Sequence, residues 1–281
     1  MSIVRSARSL LFVPGNRPER FAKAAAAGAD LVCIDLEDAV PAAERPAARL
    51  AAVEHLHGLM PGHRVGVRIS RLGSADGLRD VLALADAAAT PAYVMLAKAE
   101  CAEQIRLLAG HLAGTPLIAL VESARGLQDV VAIAGAHPQL QSLMLGGVDL
   151  CAELGCDLAW EPLLHARSLL VTAAASASLG VLDVPWLAVA DADGARAETA
   201  RVAALGFTGK ACIHPSQVAA VHAGLRPDDE ALERARRITA AAGAAGADAA
   251  AVLVDGRMVD RPVVLAAQRL LARAVPTGAD S

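Results

Sequence analysis

Eight short apolar segments recur along most of the chain, and each is followed by an alanine-rich stretch with the spacing of an amphipathic helix. The predicted strands are Ser9–Pro14, Leu31–Asp38, Val65–Ser70, Ala92–Lys98, Leu117–Ser123, Ser142–Gly147, Val181–Ala190 and Phe207–His214. Continuously apolar strands, such as the LIALV segment, are typical of a parallel sheet that is buried on both faces. Eight strand–helix repeats predict a closed (β/α)8 barrel. A doubly wound open sheet is the alternative, but no GxGxxG fingerprint follows the first strand.

The connecting helices are predicted near residues 18–28, 42–60, 75–88, 101–113, 124–136, 160–179 and 192–205, with one more after Pro215. Beyond this helix the pattern changes to an arginine- and alanine-rich helix over residues 227–247. A hairpin with a turn at Asp255–Gly256 and a last helix from about Pro262 to Ala274 follow.

These two patterns predict two parts of the chain. We expect a barrel domain over residues 1–225 and a C-terminal extension over residues 226–281, which would serve as a lid or an oligomerisation arm. The final PTGADS segment is expected to fray.

Composition excludes several classes of protein. Hydrophobic residues make up 55% of the chain, which is incompatible with intrinsic disorder. The net charge is −4 and no basic run occurs, so we expect neither nucleic acid nor an acidic membrane as a partner. The sequence contains no stretch of about 18 uncharged apolar residues, so we expect no membrane span. Five scattered cysteines without a CxxC pair, and no signal-peptide pattern, predict free thiols and a cytoplasmic protein.

Ionisable residues stand at or near the ends of the predicted strands. They are Asp35, Glu37, Asp38, Arg68, Lys98, Glu122, Asp149, Asp183 and His214. The carboxyl ends of barrel strands meet at one face, and this face carries the active site of such enzymes. One such residue would only mark where the surface begins, whereas the whole set predicts a functional site.

Two of these carboxylates, Glu122 and Asp149, are predicted to end the consecutive strands five and six and therefore to be neighbours. Adjacent carboxylates without a histidine or cysteine cluster suit Mg²⁺ or Mn²⁺ better than zinc. A pair of solvated or lysine-paired carboxylates would give the same pattern, so the residues alone leave both interpretations open.

Arg68 lies inside the apolar strand VGVRI, where a charged side chain must pair or face a ligand. A guanidinium fork suits the carboxylate of a substrate. A salt bridge to Glu37 or Asp38 on the adjacent strand is the alternative, and both roles can coexist.

The segment FVPGNRPERFAK, which follows the first strand, brings Arg17, Arg20 and Lys23 next to a helix start, with Phe12 close by. Cations in this position suit phosphate groups, although the signal is weak on its own. The phosphate-loop, HExxH and GxSxG templates are absent. Among the histidines only His214 is predicted at the strand-end face.

Seven ordered motifs give a more specific indication. They are RSLLFVPGNRPERFAKAAAAGAD, LVCIDLEDAVP, VGVRIS, MLAKAE, LIALVESARGL, LMLGGVDL and GFTGKACIHPSQV. Together they resemble the citrate lyase beta subunit and its relatives, which are CoA-ester lyases of the HpcH/HpaI aldolase family. The resemblance extends from about Arg8 to Ala274 and includes the GRMVDRP motif.

This resemblance implies a Mg²⁺-dependent (β/α)8 barrel. Glu122 and Asp149 match the metal ligands, where Glu122 would also touch the substrate, and Arg68 matches the residue that holds the carboxylate of the oxo acid. Glu37 and Asp38 match acidic residues around the metal that support catalysis.

The resemblance also assigns the CoA site. Phe12, Arg17 and Lys23 match residues that line this site, and His214 lies in a motif near the bound thioester. Asp260 matches a catalytic acid or base that a neighbouring subunit supplies, in a homotrimer or a hexamer.

The activity that the resemblance implies is cleavage of a β-hydroxyacyl-CoA, such as citryl-CoA, malyl-CoA or citramalyl-CoA, into an acyl-CoA and an oxo acid. Two alternatives stay open: an aldolase that acts on free hydroxy-oxo acids, and a beta subunit that acts on citryl-acyl carrier protein within a citrate lyase complex.

Overall fold

The computed structural model describes residues 2–87, 90–245 and 251–274. Eight parallel strands form a closed barrel in sequential order, and the first strand pairs with the eighth. The strands are β1 (Ser9–Pro14), β2 (Leu31–Asp35), β3 (Val65–Ile69), β4 (Val94–Leu96), β5 (Leu117–Val121), β6 (Leu140–Leu145), β7 (Gly180–Asp183) and β8 (Gly209–Cys212). The predicted barrel is therefore confirmed, and the open sheet is wrong.

The barrel interior is a packed hydrophobic core. Alternate strand residues fill it, among them Leu10, Leu31, Cys33, Met95, Ile118, Leu120, Met144, Leu182 and Ala211. Tyr93 is fully buried in this core and its hydroxyl donates a hydrogen bond to the carbonyl of Val32 at 2.9 Å. The ring fits because Gly66 has no Cβ atom; a Cβ atom at that position would lie only 2.5 Å from the ring.

The helices that surround the barrel are α1 (Phe21–Ala25), α2 (Arg45–His57), α3 (Ala75–Asp86), α4 (Ala102–His111), α5 (Ala124–Gln128), α6 (Val130–Ala134), α7 (Gly147–Leu154), α8 (Trp160–Ser176), α9 (Ala192–Leu205) and α10 (Gln217–Leu225). Short 3-10 turns precede α1 and α2. The prediction of a single helix over residues 124–136 is wrong, because the helix is interrupted at Asp129, between α5 and α6. No helix in the described part of the chain has the length and apolar character to cross a membrane.

Several strands end earlier than predicted. β2 stops at Asp35 because the Asp35 carboxylate accepts hydrogen bonds from the backbone N–H groups of Glu37 at 2.9 Å and Ala39 at 3.0 Å, which turns the chain. β7 stops at Asp183, two residues before Pro185, so the predicted strand from Val181 to Ala190 is wrong in its second half.

The chain divides into two compact units, Met1–His222 and Ala223–Ser281. The break falls within α10, whereas the predicted boundary follows its last residue. The second unit contains α11 (Asp229–Ala245), an antiparallel hairpin of β9 (Ala251–Val254) and β10 (Arg257–Asp260), and α12 (Arg261–Ala274).

The hairpin of the second unit turns at Asp255 and Gly256, as predicted. Both residues have positive φ angles, 52° and 74°, which a two-residue turn of type I′ requires. The PTGADS segment lies outside the described residues.

Candidate active site

Carboxylates gather at the C-terminal face of the barrel. They are Asp35, Glu37, Asp38, Glu122 and Asp149. One oxygen each from Asp38, Glu122 and Asp149 lie within 4.8 Å of one another. The structure thus brings the two predicted metal ligands together. Asp38, which the sequence analysis had placed only near the metal, is the third member of this candidate group.

Asp149 reaches this group in a way that the sequence analysis missed. β6 ends at Leu145, and Asp149 lies in the first turn of the short helix α7 instead of at a strand end. The chain passes close to Glu122 at Gly146, where a Cβ atom would collide with the Glu122 side chain. A glycine at this position therefore allows the two carboxylates to be neighbours.

Arg68 is anchored by a carboxylate that was not among its predicted partners. Its Nε donates to Asp35 Oδ1 at 2.7 Å and its Nη2 donates to Asp35 Oδ2 at 2.5 Å. Asp35 and Arg68 are paired in the β2–β3 register, and Asp35 is 1% exposed. The predicted contacts to Glu37 and Asp38 also exist, at 3.4 and 3.7 Å from Nη1.

The ring of Phe12 packs against this guanidinium, with Arg68 Cζ 5.0 Å from the ring centroid. This is a cation–π contact, which orients the plane of the guanidinium. Phe12 therefore contacts Arg68 directly, whereas the resemblance placed it at the CoA site.

Lys98 is a member of the cluster whose importance the sequence analysis did not recognise. Its Nζ lies 2.8 Å from Glu37 Oε1 and 3.2 Å from Asp149 Oδ2, and its backbone N–H donates to Glu122 Oε1 at 2.9 Å. The φ angle of Lys98 is +52°, which is rare for a residue other than glycine and costs about 1–3 kcal/mol. This conformation lets one residue hold Glu122 with its backbone and Glu37 with its side chain.

The electrostatics of the cluster favour a cation. Five carboxylates face the two cations Arg68 and Lys98, which gives a formal excess of three negative charges when every group is ionised. Burial and the nearby carboxylate of Glu37 raise the pKa of Glu122 to about 8, from an ordinary value of 4.5. Glu37 Oε2 is buried without a hydrogen-bond partner. An all-oxygen ligand set with excess negative charge fits a hard divalent cation such as Mg²⁺.

Besides Phe12, the residues predicted for CoA lie on the two segments that follow β1 and β8. Arg17 and Lys23 are exposed on the segment that follows β1. His214 is exposed after β8, and its Nδ1 lies 2.7 Å from Ser216 Oγ. Because β1 pairs with β8, the two loops begin on adjacent strands.

Asp183 was wrongly predicted to belong to the strand-end site. Its neighbour Leu182 faces the barrel core, so Asp183 points to the helix layer. There it is fully buried and paired with Arg167 at 2.9 Å and Lys210 at 2.7 Å, and Lys210 also pairs with Glu198. This is a buried ion-pair network that packs helices on the barrel wall.

Asp260 is the last residue of β10, in the second unit. Its Oδ1 accepts a hydrogen bond from the backbone N–H of Val263 at 3.3 Å, in the first turn of α12. The carboxylate therefore caps this helix.

A closed (β/α)8 barrel with acidic residues at the carboxyl ends of its strands defines the class of TIM-barrel proteins with a candidate site for a divalent cation. Within this class, residues 8–215 match the model of the HpcH/HpaI aldolase/citrate lyase family, and the chain belongs to that family. The resemblance that the motifs indicated is confirmed. The family comprises carbon–carbon lyases and is Mg²⁺-dependent.

Two relatives illustrate the range of the family. The chain is 42% identical over 271 residues to the citrate lyase subunit beta-like protein of Mycobacterium tuberculosis, with 94% of each chain covered. It is 32% identical over 299 residues to the L-malyl-CoA/beta-methylmalyl-CoA lyase of Rhodobacter capsulatus, with 95% of this chain and 94% of that protein covered.

Solved structures are also similar to this chain. The CitE protein of M. tuberculosis, in complex with magnesium, acetoacetate and coenzyme A, aligns with a TM-score of 0.84 at 42% identity, covering 96% of this chain and 99% of that chain. The M. tuberculosis citrate lyase beta subunit complexed with oxaloacetate and magnesium aligns with a TM-score of 0.71 at 40% identity, covering 81% of this chain and all of that chain.

Proposed function

We propose that this protein is a Mg²⁺-dependent lyase that cleaves a β-hydroxyacyl-CoA, of the citryl-CoA, malyl-CoA or citramalyl-CoA type, into an acyl-CoA and an oxo acid. The observation that carries the proposal is the convergence of Asp38, Glu122 and Asp149 within 4.8 Å, next to the anchored guanidinium of Arg68. Magnesium together with CoA or an oxo acid in solved structures of relatives supports the same chemistry.

The metal would be held by Asp38, Glu122 and Asp149. When bound, it supplies Lewis-acid stabilisation of the negative charge on the oxygen that becomes the carbonyl of the oxo acid. Arg68 binds the carboxylate of the same fragment through the donors that Asp35 leaves available, and this contact fixes the orientation of the bond that breaks.

The proposed reaction is a retro-Claisen cleavage. A carboxylate of the site accepts the proton of the β-hydroxyl group, the hydroxyl oxygen becomes a carbonyl oxygen, and the electrons of the broken carbon–carbon bond pass into the thioester enolate. A general acid then protonates the α-carbon of the acyl-CoA. Asp260 is the proposed acid, whereas Glu37 supports catalysis by holding Lys98 and Arg68 in place.

The CoA part of the substrate is proposed to lie across the adjacent loops after β1 and β8. Arg17 and Lys23 offer exposed cations for its phosphate groups, and the exposed His214 is proposed to lie near the thioester. The proposed contribution of Phe12 to this site is indirect: its ring packs against the guanidinium of Arg68. The five described cysteines are free thiols, which supports the proposed location in the reducing cytoplasm.

The proposed assembly is a homotrimer or a hexamer in which Asp260 serves the barrel of a neighbouring subunit. Exposed apolar residues of the second unit support an interface there: Leu253, Met258, Val263 and Leu265.

Subunit mixing tests whether Asp260 acts on a neighbouring barrel. The variants Asp260→Asn and Arg68→Lys are each expected to be nearly inactive alone. A mixture of the two that has been allowed to exchange subunits should regain part of the wild-type activity, because some sites then combine an intact barrel with an intact Asp260.

Exchange is measured independently by mass spectrometry of differently labelled chains. Demonstrated exchange without recovery of activity would show that Asp260 acts on its own barrel. A fully active Asp260→Asn protein would remove this residue from the mechanism.

Two other functions of the same site are an aldolase that acts on free hydroxy-oxo acids and a citrate lyase beta subunit that needs an acyl carrier protein. The purified chain is incubated with Mg²⁺ and a panel of hydroxyacyl-CoA esters, the matching free acids and citryl-acyl carrier protein, and products are identified by mass spectrometry. We expect cleavage of a CoA ester. Cleavage of only the free acids, or only the carrier-protein ester, would replace the proposal with the corresponding alternative.

A further inference from the structure

Lys98 and the proposed metal share the same carboxylates. The Lys98 ammonium group lies 3.2 Å from Asp149 Oδ2 and 3.7 Å from Asp38 Oδ1, and both residues belong to the proposed ligand set. Its closest contact, at 2.8 Å, is Glu37 Oε1, outside that set. The Lys98 side chain therefore has one contact, to Glu37, outside the proposed ligand set and two contacts, to Asp38 and Asp149, within it.

The backbone of Lys98 fixes this arrangement. The N–H group of Lys98 donates to Glu122, the third proposed ligand, and the positive φ angle directs the side chain to the carboxylates. The ammonium group therefore cannot move far from the site by a change of backbone without the loss of the bond to Glu122. The position of the ammonium group is thus set by the local fold.

We propose that Lys98 sets the metal affinity of this site by competing with the cation for Asp38 and Asp149. The proposal rests on the metal site of the proposed function. Mg²⁺ binds carboxylate oxygens at about 2.0–2.1 Å, so an ammonium group beside the same oxygens would repel it. A bound Mg²⁺ would replace the ammonium group as the counter-ion of these carboxylates. Lys98 then keeps its contact with Glu37, so the lysine is displaced from two carboxylates only.

Removal of the lysine charge should therefore tighten metal binding. Lys98→Met keeps the length of the side chain and the backbone N–H group, so the bond to Glu122 is retained. Because the Lys98 side chain is 31% exposed, solvent screens part of the repulsion. We expect calorimetry to show Mg²⁺ binding that is at least about tenfold tighter in Lys98→Met than in the wild type.

Two control variants make the comparison specific. Lys98→Arg retains the positive charge and should bind Mg²⁺ within about threefold of the wild type. Lys23→Met removes an exposed lysine that lies outside the carboxylate cluster, and its Mg²⁺ affinity should equal that of the wild type.

Thermal unfolding distinguishes competition from a purely structural role. In EDTA, Lys98→Met should melt below the wild type, because the carboxylates lose a counter-ion. Saturating Mg²⁺ should then raise its Tm by more than it raises the Tm of the wild type, since tighter binding stabilises the folded state more. A structural role would lower the Tm equally with and without metal.

Equal or weaker Mg²⁺ binding by Lys98→Met would overturn the competition, while Mg²⁺ binding by the wild type would leave the proposed function intact. A wild type that binds no Mg²⁺ in the same calorimeter would overturn both the competition and the metal site. The two failures are therefore separated by a single set of titrations.

Discussion

Arg68→Lys is expected to lower kcat/KM at least about 100-fold although the charge is retained. Lysine offers one point of contact, whereas the guanidinium of Arg68 holds both oxygens of Asp35 and presents further donors to a substrate. Loss of one oriented donor that acts on a transition state costs about 2.7–4 kcal/mol, which corresponds to a factor of about 100–1,000. Steady-state kinetics with the best CoA ester measures this effect.

A second Arg–Asp fork in the same barrel provides the control. Arg8 binds both oxygens of Asp30, at 3.0 and 3.1 Å, at the opposite end of β1 and β2. Arg8→Lys should lower the free energy of unfolding while kcat/KM stays close to that of the wild type. If both variants lose stability and neither loses kcat/KM, Arg68 only holds Asp35 and does not bind substrate.

Glu122→Gln and Asp149→Asn are expected to abolish Mg²⁺-dependent activity without unfolding the protein. Loss of a residue that only orients a metal ligand commonly weakens binding by about 10–100-fold, so loss of a ligand should weaken it by more than about 100-fold. The folded state should tolerate Glu122→Gln, because the amide oxygen can still accept the Lys98 N–H and the repulsion from Glu37 disappears.

Glu153→Gln is the matched control, since Glu153 lies in helix α7 together with Asp149. Its carboxylate accepts a hydrogen bond from the backbone N–H of Ala124 and is not part of the group formed by Asp38, Glu122 and Asp149. Calorimetry with Mg²⁺ and a far-ultraviolet circular dichroism spectrum are recorded for all three variants. Unchanged Mg²⁺ affinity in both Glu122→Gln and Asp149→Asn would refute the metal assignment.

The sequence predicted the barrel because strands buried on both faces are continuously apolar, and such runs can be read without knowledge of their partners. It did not predict where the strands end, because these ends depend on particular local contacts. The turn after β2 is held by Asp35, which accepts two backbone N–H groups, and the loop after β7 begins near Pro185. Neither effect follows from apolar periodicity.

The site was predicted in its residue types and only partly in its contacts. Glu122 and Asp149 were expected to be neighbours, and they are. Asp149 lies in helix α7, however, which was not predicted because the GGVDL segment begins with two glycines. The fork between Arg68 and Asp35 depends on strand register, which is a tertiary property. The contacts of Lys98 depend on a positive φ angle that its residue type does not favour. One signal in the sequence could have indicated this ion pair: an acidic residue, Asp35, ends β2, and a basic residue, Arg68, lies near the end of the adjacent strand β3.

The most direct test of the central claim is a metal titration of turnover with the purified chain. Protein stripped of metal with EDTA is given the CoA ester that the panel identifies, and acyl-CoA and oxo acid are both quantified as Mg²⁺ is added. We predict that cleavage is absent before Mg²⁺ is added, that it rises to a plateau, and that the two products form in equal amounts. Cleavage at full rate in EDTA, or hydrolysis of the thioester without release of an oxo acid, would contradict the account.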